Sequence, residues 1–335
     1  MHRKKFAGVM SAVGLALVAA SAIGPSADAA STAPRASSLN ITFVAALVND
    51  SYFVTIKCGA LAAGKALGVN VKWEGPTSNS VSAELSAFQA AAVTNPDGMV
   101  LAPFSNTGFG GVVRPLMKKG VPVTLSGQAI EPADGLTTYI SNFLKGGNSL
   151  ASEIGKLTGG TGTMAIVADS TGNKTDSDRY TGLVPILKKK YPNLKIVGPQ
   201  YAANSTAKAA SVTASLIIGN PDLKLVYASS GPEAVGAASA IAAAKKSSSI
   251  KLISFDSSPP QIQLLKQGKL AATMGQSPFL TGKLTVTSVV KYIRAHPNKG
   301  PVPSSAKLSY TPTALLTPQN VNTSLGKQYQ YLTHC

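Results

Sequence analysis

The stretch Asn40-Ile-Thr-Phe-Val-Ala-Ala-Leu-Val48 is a near-continuous apolar run, which is the pattern of a β-strand buried on both faces. Apolar residues at helical spacing follow from Phe53 to Leu67, and Gly68 then offers a residue that can end a helix in left-handed backbone. A buried strand followed at once by such a helix is the repeating unit of α/β proteins. The stretch therefore predicts a parallel sheet covered by helices.

The same strand–helix unit recurs in two similar series, about 40–141 and 143–275. The first series continues with strands at 69–73, 98–102, 121–125 and 136–140 and with helices at 80–94 and 109–119. The second has strands at 163–168, 194–199, 224–228, 250–255 and 271–274 and helices at 144–157, 176–190, 205–218, 233–245 and 259–267. A helix at 279–295 follows, and the Pro- and Gly-rich residues 296–335 predict an irregular tail with one strand near 306–311.

Two series of parallel strands predict two Rossmann-like lobes, and 335 residues at about 150 per domain also give two. A closed eightfold barrel would likewise alternate strands and helices. The second series restarts with a helix near Leu144 instead of continuing in phase, which favours separate lobes over the barrel.

The chain is basic, with 31 Lys and Arg residues against 14 Asp and Glu and a formal net charge of +17. The lysines stand singly or in short groups at the ends of predicted helices, where cations complement the helix dipole. No Arg-rich run with interleaved aromatic residues occurs, so we expect no nucleic-acid partner and at most weak attraction to an anionic cell envelope. Three His residues are too few for a multi-histidine metal site, and we expect neither a metal nor a cofactor.

The first thirty residues have the pattern of a secretory signal peptide, 1–29. A basic start at 2–5 precedes a mostly apolar run at 6–23, and Ala27-Asp28-Ala29 fits the pattern that a signal peptidase accepts. A transmembrane anchor is the alternative, but the run is short, rich in small residues and not followed by charges. Cleavage would leave 28 basic and 13 acidic residues, a charge of +15. We expect an exported, soluble mature chain, because no later segment has 18 unbroken apolar residues.

Ligands of open parallel sheets bind beyond the carboxyl ends of the strands, so the loops after the strands hold the candidate site residues. Nearly every such loop offers a hydroxyl, amide, carboxylate or aromatic side chain, a set that suits a small polyhydroxy ligand. Helix caps and turns use the same polar residue types, which is the alternative for any single position. The candidates are Asn49, Ser51, Tyr52, Phe53, Phe104, Asn106, Ser126, Gln128, Asn142, Asp176, Ser177, Ser230, Asp256 and Gln276.

Cys58 and Cys335 are an even pair in a chain predicted to be exported. A disulfide would tie the C-terminus to the first helix. The alternative is a buried Cys58 and a free terminal thiol, and both remain open at this point.

Several stretches carry a resemblance to a known family: Tyr52–Gly59, Asn95-Pro-Asp-Gly-Met-Val-Leu-Ala-Pro103, Ile253-Ser-Phe-Asp256 and Gly268-Lys-Leu-Ala-Ala-Thr-Met-Gly-Gln276. Over about 41–295 the chain resembles the type I periplasmic sugar-binding proteins of ABC importers. A shorter match at 73–77 is similar to the branch that includes rhamnose and autoinducer-2 receptors; ribose receptors are also members of the family.

The resemblance implies two lobes joined by three crossings near 141–143, 276–278 and 308–311, with a ligand trapped between the lobes. The N-terminal lobe would hold 40–141 plus 277–308, and the C-terminal lobe 142–276 plus 309–335. The implied function is that of an extracytoplasmic receptor, a monomer and not an enzyme. It would bind a monosaccharide or sugar-like polyol by hinge closure and present it to an ABC permease.

By motif position, Asp256 and Gln276 match the family's ligand-binding Asp and Gln, and Tyr52 and Phe53 match aromatic residues that clasp the sugar. Ser51 belongs to that same loop, and Asp176 and Ser177 match a polar pair at the start of a helix in the second lobe. The chain departs from the family after the strand at 121–125, where many members carry Asp, often followed by Arg. Here Ser126 and Gly127 stand in their place, which removes one carboxylate for sugar hydroxyls.

Two other functions remain open. A receptor of the same fold would bind an amino acid, an autoinducer or a cell-wall fragment. A secreted enzyme is less favoured, because hydrolysis with a Ser/His/Asp set needs a well-placed His, whereas His296 lies in a polar turn and His334 next to the last residue.

Overall fold

The computed structural model describes residues 38–335 except 79, 172 and 173, and the predicted signal peptide at 1–29 lies outside the described residues. Within them the chain forms two separate six-stranded sheets flanked by helices. The two-lobe α/β fold expected from the two series is confirmed, and the closed barrel is wrong. No described helix combines the length and apolar character needed to cross a bilayer.

The first sheet is entirely parallel, in the order β11-β5-β4-β3-β1-β2. Its central strands are buried along almost their whole length, which explains the continuous apolar runs in the sequence. Its strands are β1 (Asn40–Ala45), β2 (Asn70–Glu74), β3 (Gly98–Ala102), β4 (Val123–Ser126), β5 (Thr137–Ser141) and β11 (Lys307–Thr311). The helices that accompany it are α1 (Ser51–Leu67), α2 (Val81–Ala92), α3 (Gly110–Lys118) and α10 (Pro278–Ala295).

The second sheet has the order β12-β10-β9-β8-β6-β7 and is parallel except for β12, which pairs antiparallel with β10. Its strands are β6 (Gly162–Ala168), β7 (Leu194–Tyr201), β8 (Leu223–Ala228), β9 (Lys251–Phe255), β10 (Ala272–Gly275) and β12 (Ala314–Leu316). Its helices are α4 (Phe143–Thr158), α5 (Lys174–Thr181), α6 (Leu183–Lys190), α7 (Thr206–Gly219), α8 (Gly231–Ala243) and α9 (Pro259–Lys266), with the short α11 (Ser324–Gln328) in the C-terminal segment.

Local chemistry sets the helix ends that face the site. The Asp50 side chain caps α1 by accepting from the Tyr52 amide, and Gly68 ends that helix at φ +66°, as its sequence position predicts. The Asn142 side chain caps α4, at the point where the chain leaves the first sheet.

The chain passes between the two sheets at three places, each directly after a strand. It leaves β5 at Ser141 to enter α4, returns from β10 to α10 through Gln276 and Ser277, and goes from β11 to β12 between Thr311 and Ala314. The third passage is slightly later than the expected 308–311, because all of β11 pairs with β5 in the first sheet.

Four details differ from the sequence expectations. The first strand stops at Ala45 rather than Val48, and the helix expected at 176–190 is divided into α5 and α6 beside Gly182. The tail contains β12 and α11 in addition to the strand that was expected there. Three-residue strands and five-residue helices carry too few residues for a periodic pattern, so tertiary pairing is what fixes them.

Candidate functional site

A cavity of about 500 Å³ opens between the carboxyl ends of the two sheets' strands, where the topology of open parallel sheets predicts a ligand site. Both sheets contribute to its lining. Nine of the fourteen residues selected from the sequence line it: Ser51, Tyr52, Phe53, Phe104, Ser126, Gln128, Asp176, Ser230 and Asp256.

The other five selected residues do not line this cavity. Asn49 is exposed in the loop before α1, and the Asn106 carbonyl accepts from the Glu131 amide. Asn142 caps α4, and the Ser177 hydroxyl donates to the Lys174 carbonyl at 2.9 Å. Gln276 is buried behind Asp256, so it supports a lining residue instead of forming the surface.

The wall contributed by the first sheet is largely aromatic. Tyr52 and Phe53 open α1 with their rings edge to face, their centroids 5.3 Å apart. Phe104 follows β3, and its amide donates to the buried Glu84 carboxyl at 3.0 Å, which fixes the loop. Aromatic faces of this kind stack on the apolar C–H faces of ring ligands.

The residue after β4 is a glycine in left-handed backbone, close to Tyr52. Gly127 has φ +79°, a conformation that other residues rarely adopt. A Cβ atom at this position would lie 3.0 Å from the Tyr52 hydroxyl oxygen. A side chain at position 127 would therefore need strained backbone and a small shift of the Tyr52 hydroxyl, and the neighbouring Ser126 is fully buried.

The wall contributed by the second sheet centres on a salt bridge. Arg179 Nη1 on α5 donates to Asp256 Oδ2 at 2.8 Å and to the Ser229 carbonyl at 2.7 Å. The guanidinium carbon lies 4.5 Å from the centre of the Phe255 ring. Burial lowers the pKa of Arg179, but the carboxylates of Asp256 and Asp176 raise it by more. These carboxylates therefore hold the Arg179 guanidinium in its charged form.

Asp256 uses its second carboxylate oxygen as well. Oδ1 accepts from Gln276 Nε2 at 2.6 Å and from the Tyr331 hydroxyl at 2.7 Å, and Gln276 Oε1 accepts from the Ser141 hydroxyl at 2.6 Å. This chain of bonds joins the end of β5 in the first sheet to the end of β9 in the second. Asp256 itself has φ +76°, so the backbone directs its carboxylate into this network at the cost of strain.

Buried carboxyl groups surround the same cavity. Burial raises the pKa of Asp176, whose Oδ2 accepts from the Asp169 amide at 3.1 Å. Burial also raises the pKa of Asp50 on the opposite wall. The Thr175 hydroxyl donates across the cavity to the Gln128 side-chain oxygen, so the two walls are in direct contact at that edge.

The lining residues outside the fourteen candidates include three with charged or phenolic side chains: Asp50, Arg179 and Tyr331. Arg179 stands three residues after the selected Asp176, a spacing that shares one face of a helix and could have identified it. Asp50 was taken as part of the loop only. Tyr331 lies in the tail and carries no signal in the sequence.

Cys58 and Cys335 form a disulfide in the structure, which joins α1 to the last residue of the chain. Among the described residues, no group of His, Cys, Asp or Glu side chains is arranged to hold a metal ion.

A family model for the periplasmic binding protein domain matches residues 41–297, which is most of the chain. The chain belongs to the periplasmic binding protein family. This periplasmic binding protein is therefore one of a class of solute-binding receptors, not of enzymes, that work outside the cytoplasm.

Curated relatives and a solved structure agree with the assignment. The protein is 25% identical over 240 residues to the D-allose-binding periplasmic protein of Escherichia coli K12, covering 69% of this chain and 77% of the relative. It is 28% identical over 237 residues to the ribose import binding protein of Bacillus subtilis 168, covering 71% and 76%. A carbohydrate transporter solute-binding protein of Agrobacterium radiobacter in complex with D-arabinose superposes with a TM-score of 0.76 at 25% identity, over 88% of this chain and 99% of that one.

Proposed function

We propose that this periplasmic binding protein captures a monosaccharide or a sugar-like polyol in the cavity and delivers it to an ABC permease. The main support is that the cavity has an aromatic wall from the first sheet and a charged wall from the second. Aromatic rings of Tyr52, Phe53 and Phe104 face the charged Arg179–Asp256 pair across about 500 Å³. A sugar ring has both kinds of surface, because its hydroxyl groups need polar partners and its C–H faces need apolar ones.

The relatives' ligands support the same class of solute. They include proteins named for binding D-allose and ribose, and a solved structure that contains D-arabinose. The absence of an Asp at position 126 indicates a ligand with different hydroxyl requirements, so we leave the particular sugar to experiment.

An amino-acid ligand is less well supported. Such a site would use a cation to bind the ligand carboxylate, and Arg179 is already paired with Asp256 and with the Ser229 carbonyl. A charged group that is already satisfied inside the protein gains little from a second anion.

We propose that the ligand is captured by hinge closure between two lobes. The lobe of the first sheet comprises 40–141 and 277–311, and the lobe of the second sheet comprises 142–276 and 312–335. The three passages between the sheets would form the hinge. A ligand that bonds both walls favours the closed form because the closed form binds it more tightly. In this proposal the receptor acts as a monomer outside the cytoplasm after removal of residues 1–29.

The test is isothermal titration calorimetry with D-ribose, D-allose, D-arabinose, D-fucose, D-tagatose and a set of L-amino acids. We expect the wild-type protein to bind at least one sugar saturably, with one site per chain. Asp256→Asn keeps a residue type that tolerates positive φ, removes the charge and should weaken binding at least tenfold. The matched control is Asp178→Asn, the same change on α5 at a carboxylate that pairs with the half-exposed Lys174 and does not line the cavity.

Binding of amino acids with no sugar bound would replace the proposed ligand class. Equal sugar affinities for wild type and Asp256→Asn would contradict the assignment of the site.

A further inference from the structure

The C-terminal segment, residues 329–335, crosses from one half of the molecule to the other beside the cavity. The Tyr331 amide donates to the Ser257 carbonyl after β9 at 3.1 Å. The next amide, that of Leu332, donates to the Thr55 hydroxyl on α1 at 2.7 Å. Two consecutive residues are therefore held by the two halves of the molecule, one by the loop after β9 and the next by α1.

Both ends of this crossing are anchored. On the side of the second sheet, the Ser257 hydroxyl also donates to the Tyr329 carbonyl. On the side of the first sheet, Cys335 is bonded to Cys58 in the middle of α1. The four residues 332–335 link Tyr331 to the disulfide, and four residues in extended form span at most about 14 Å. The disulfide therefore limits how far Tyr331 can move from α1.

The Tyr331 side chain lines the cavity and is hydrogen-bonded to Asp256 and Gln276. Its hydroxyl donates to Asp256 Oδ1 at 2.7 Å and accepts from Gln276 Nε2 at 3.1 Å. Its ring packs edge-on against Tyr52 with centroids 5.6 Å apart, and the residue is 6% exposed. Burial and the Asp256 charge raise the pKa of Tyr331 well above its ordinary value, so the phenol remains a neutral donor.

These hydrogen bonds occupy both carboxylate oxygens of Asp256. Asp256 Oδ2 is bonded to Arg179, while Oδ1 already has two donors. A sugar hydroxyl directed at Oδ1 would have to displace the phenol, whose backbone is held by the hydrogen bonds to Ser257 and Thr55.

We infer that the disulfide-anchored segment makes Tyr331 a resident specificity residue, which restricts the cavity to ligands that present no hydroxyl group to Asp256 Oδ1 and Gln276. The inference rests on the proposed function, because it names the subset of sugar-like solutes that the site accepts. Ligand recognition then depends on Asp176, the aromatic wall and Arg179, and Asp256 contributes by holding the Arg179 guanidinium through Oδ2.

The experiment compares wild type, Tyr331→Ala and Cys335→Ser. Tyr310→Ala is the matched control, since it makes the same substitution at a ring that is 59% exposed on the edge strand β11. Calorimetry gives each protein's dissociation constants for D-ribose, D-allose, D-arabinose, D-fucose, D-tagatose and their deoxy derivatives. Hydrogen exchange of the Tyr331 and Leu332 amides, measured without sugar, reports the position of the segment independently of binding.

We expect Tyr331→Ala and Cys335→Ser to bind a sugar that the wild type binds weakly with at least tenfold higher affinity. The ratio of the dissociation constants of a sugar and its deoxy derivative should then be closer to one than in the wild type. Tyr310→Ala should keep the wild-type ratios. Cys335→Ser should speed exchange of the two amides at least tenfold, because it removes one anchor.

Unchanged sugar ratios in both Tyr331→Ala and Cys335→Ser would overturn the inference while leaving sugar binding intact. Fast exchange of the two amides in the wild type would also overturn it, whatever the sugars do. Slow exchange in the wild type with no sugar bound by any of the proteins would instead overturn the proposed function, and the specificity role with it.

Discussion

Arg179 and Asp256 lie 2.8 Å apart, nitrogen to oxygen, with side chains only 11% and 14% exposed. Arg179 comes from α5, whereas Asp256 follows β9, so the bond fixes a helix against the edge of the sheet. Removing one partner of such a pair leaves a nearly buried charge without compensation, which costs more than the pair itself contributes.

We expect Arg179→Met to lower the free energy of unfolding by about 3 kcal/mol, because Asp256 is left charged and largely buried. Urea denaturation measures this loss. The double variant Arg179→Met/Asp256→Asn should recover a substantial part of it, since the stranded charge is gone. If the double variant were as unstable as the sum of the two single variants, the pair would not be coupled.

Glu84 is fully buried, and burial raises its pKa from 4.5 to about 8 although the Phe104 amide lowers it. Between these two pH values the folded protein holds a proton that the unfolded chain has lost. Stability therefore falls as the pH rises through this window and levels off above about pH 8. Glu84→Gln has no proton to lose at this position.

Raising the pH from 5 to 9 should thus lower the stability of the wild type relative to Glu84→Gln by about 4 kcal/mol, measured by urea denaturation at each pH. Glu153→Gln, which removes a carboxylate that pairs with the exposed Lys156, is the control and should follow the wild-type curve. A constant difference between Glu84→Gln and wild type from pH 5 to 9 would show that Glu84 is ionised when folded.

Helices α1 and α10 pack at close range through glycines. A Cβ atom at Gly282 would overlap with the Ile56 carbonyl, and one at Gly59 with the Phe279 carbonyl. We expect Gly282→Ala to destabilise the protein by about 2 kcal/mol, because the clash outweighs the better helix propensity of Ala. Thermal unfolding measures the effect.

Gly111→Ala is the matched control, since it also replaces a helical glycine but meets no atom within 4 Å. It should be neutral or stabilising by up to about 1 kcal/mol. Equal melting temperatures for the two variants would mean that α1 and α10 can separate without cost.

Most of the fold could be predicted from the sequence, because parallel strands that are buried on both faces have continuous apolar runs. The runs around Phe43, Val100 and Tyr227 all proved to be central strands. The strand β12 could not be predicted, because three residues give no period and its place depends on antiparallel pairing with β10.

Part of the site could also be predicted, because ligands bind at the carboxyl ends of parallel strands and residues at these ends reach the cavity. Asp256 and Ser126 are examples. Asn49 failed because β1 ends at Ala45, four residues earlier, and the intervening loop carries Asn49 to the surface. Tyr331 could not be found from the sequence. The Cys58–Cys335 disulfide and two backbone hydrogen bonds, to Ser257 and to Thr55, place it at the cavity.

The central claim is that the cavity holds one sugar-like molecule. Native mass spectrometry of the protein purified without denaturation is the sharpest test. We expect one retained adduct of monosaccharide mass per chain, absent from Asp256→Asn and present in Asp178→Asn. A wild-type protein that carries an amino acid or an apolar molecule, or that binds nothing when monosaccharides are added, would show that the cavity is not a sugar site.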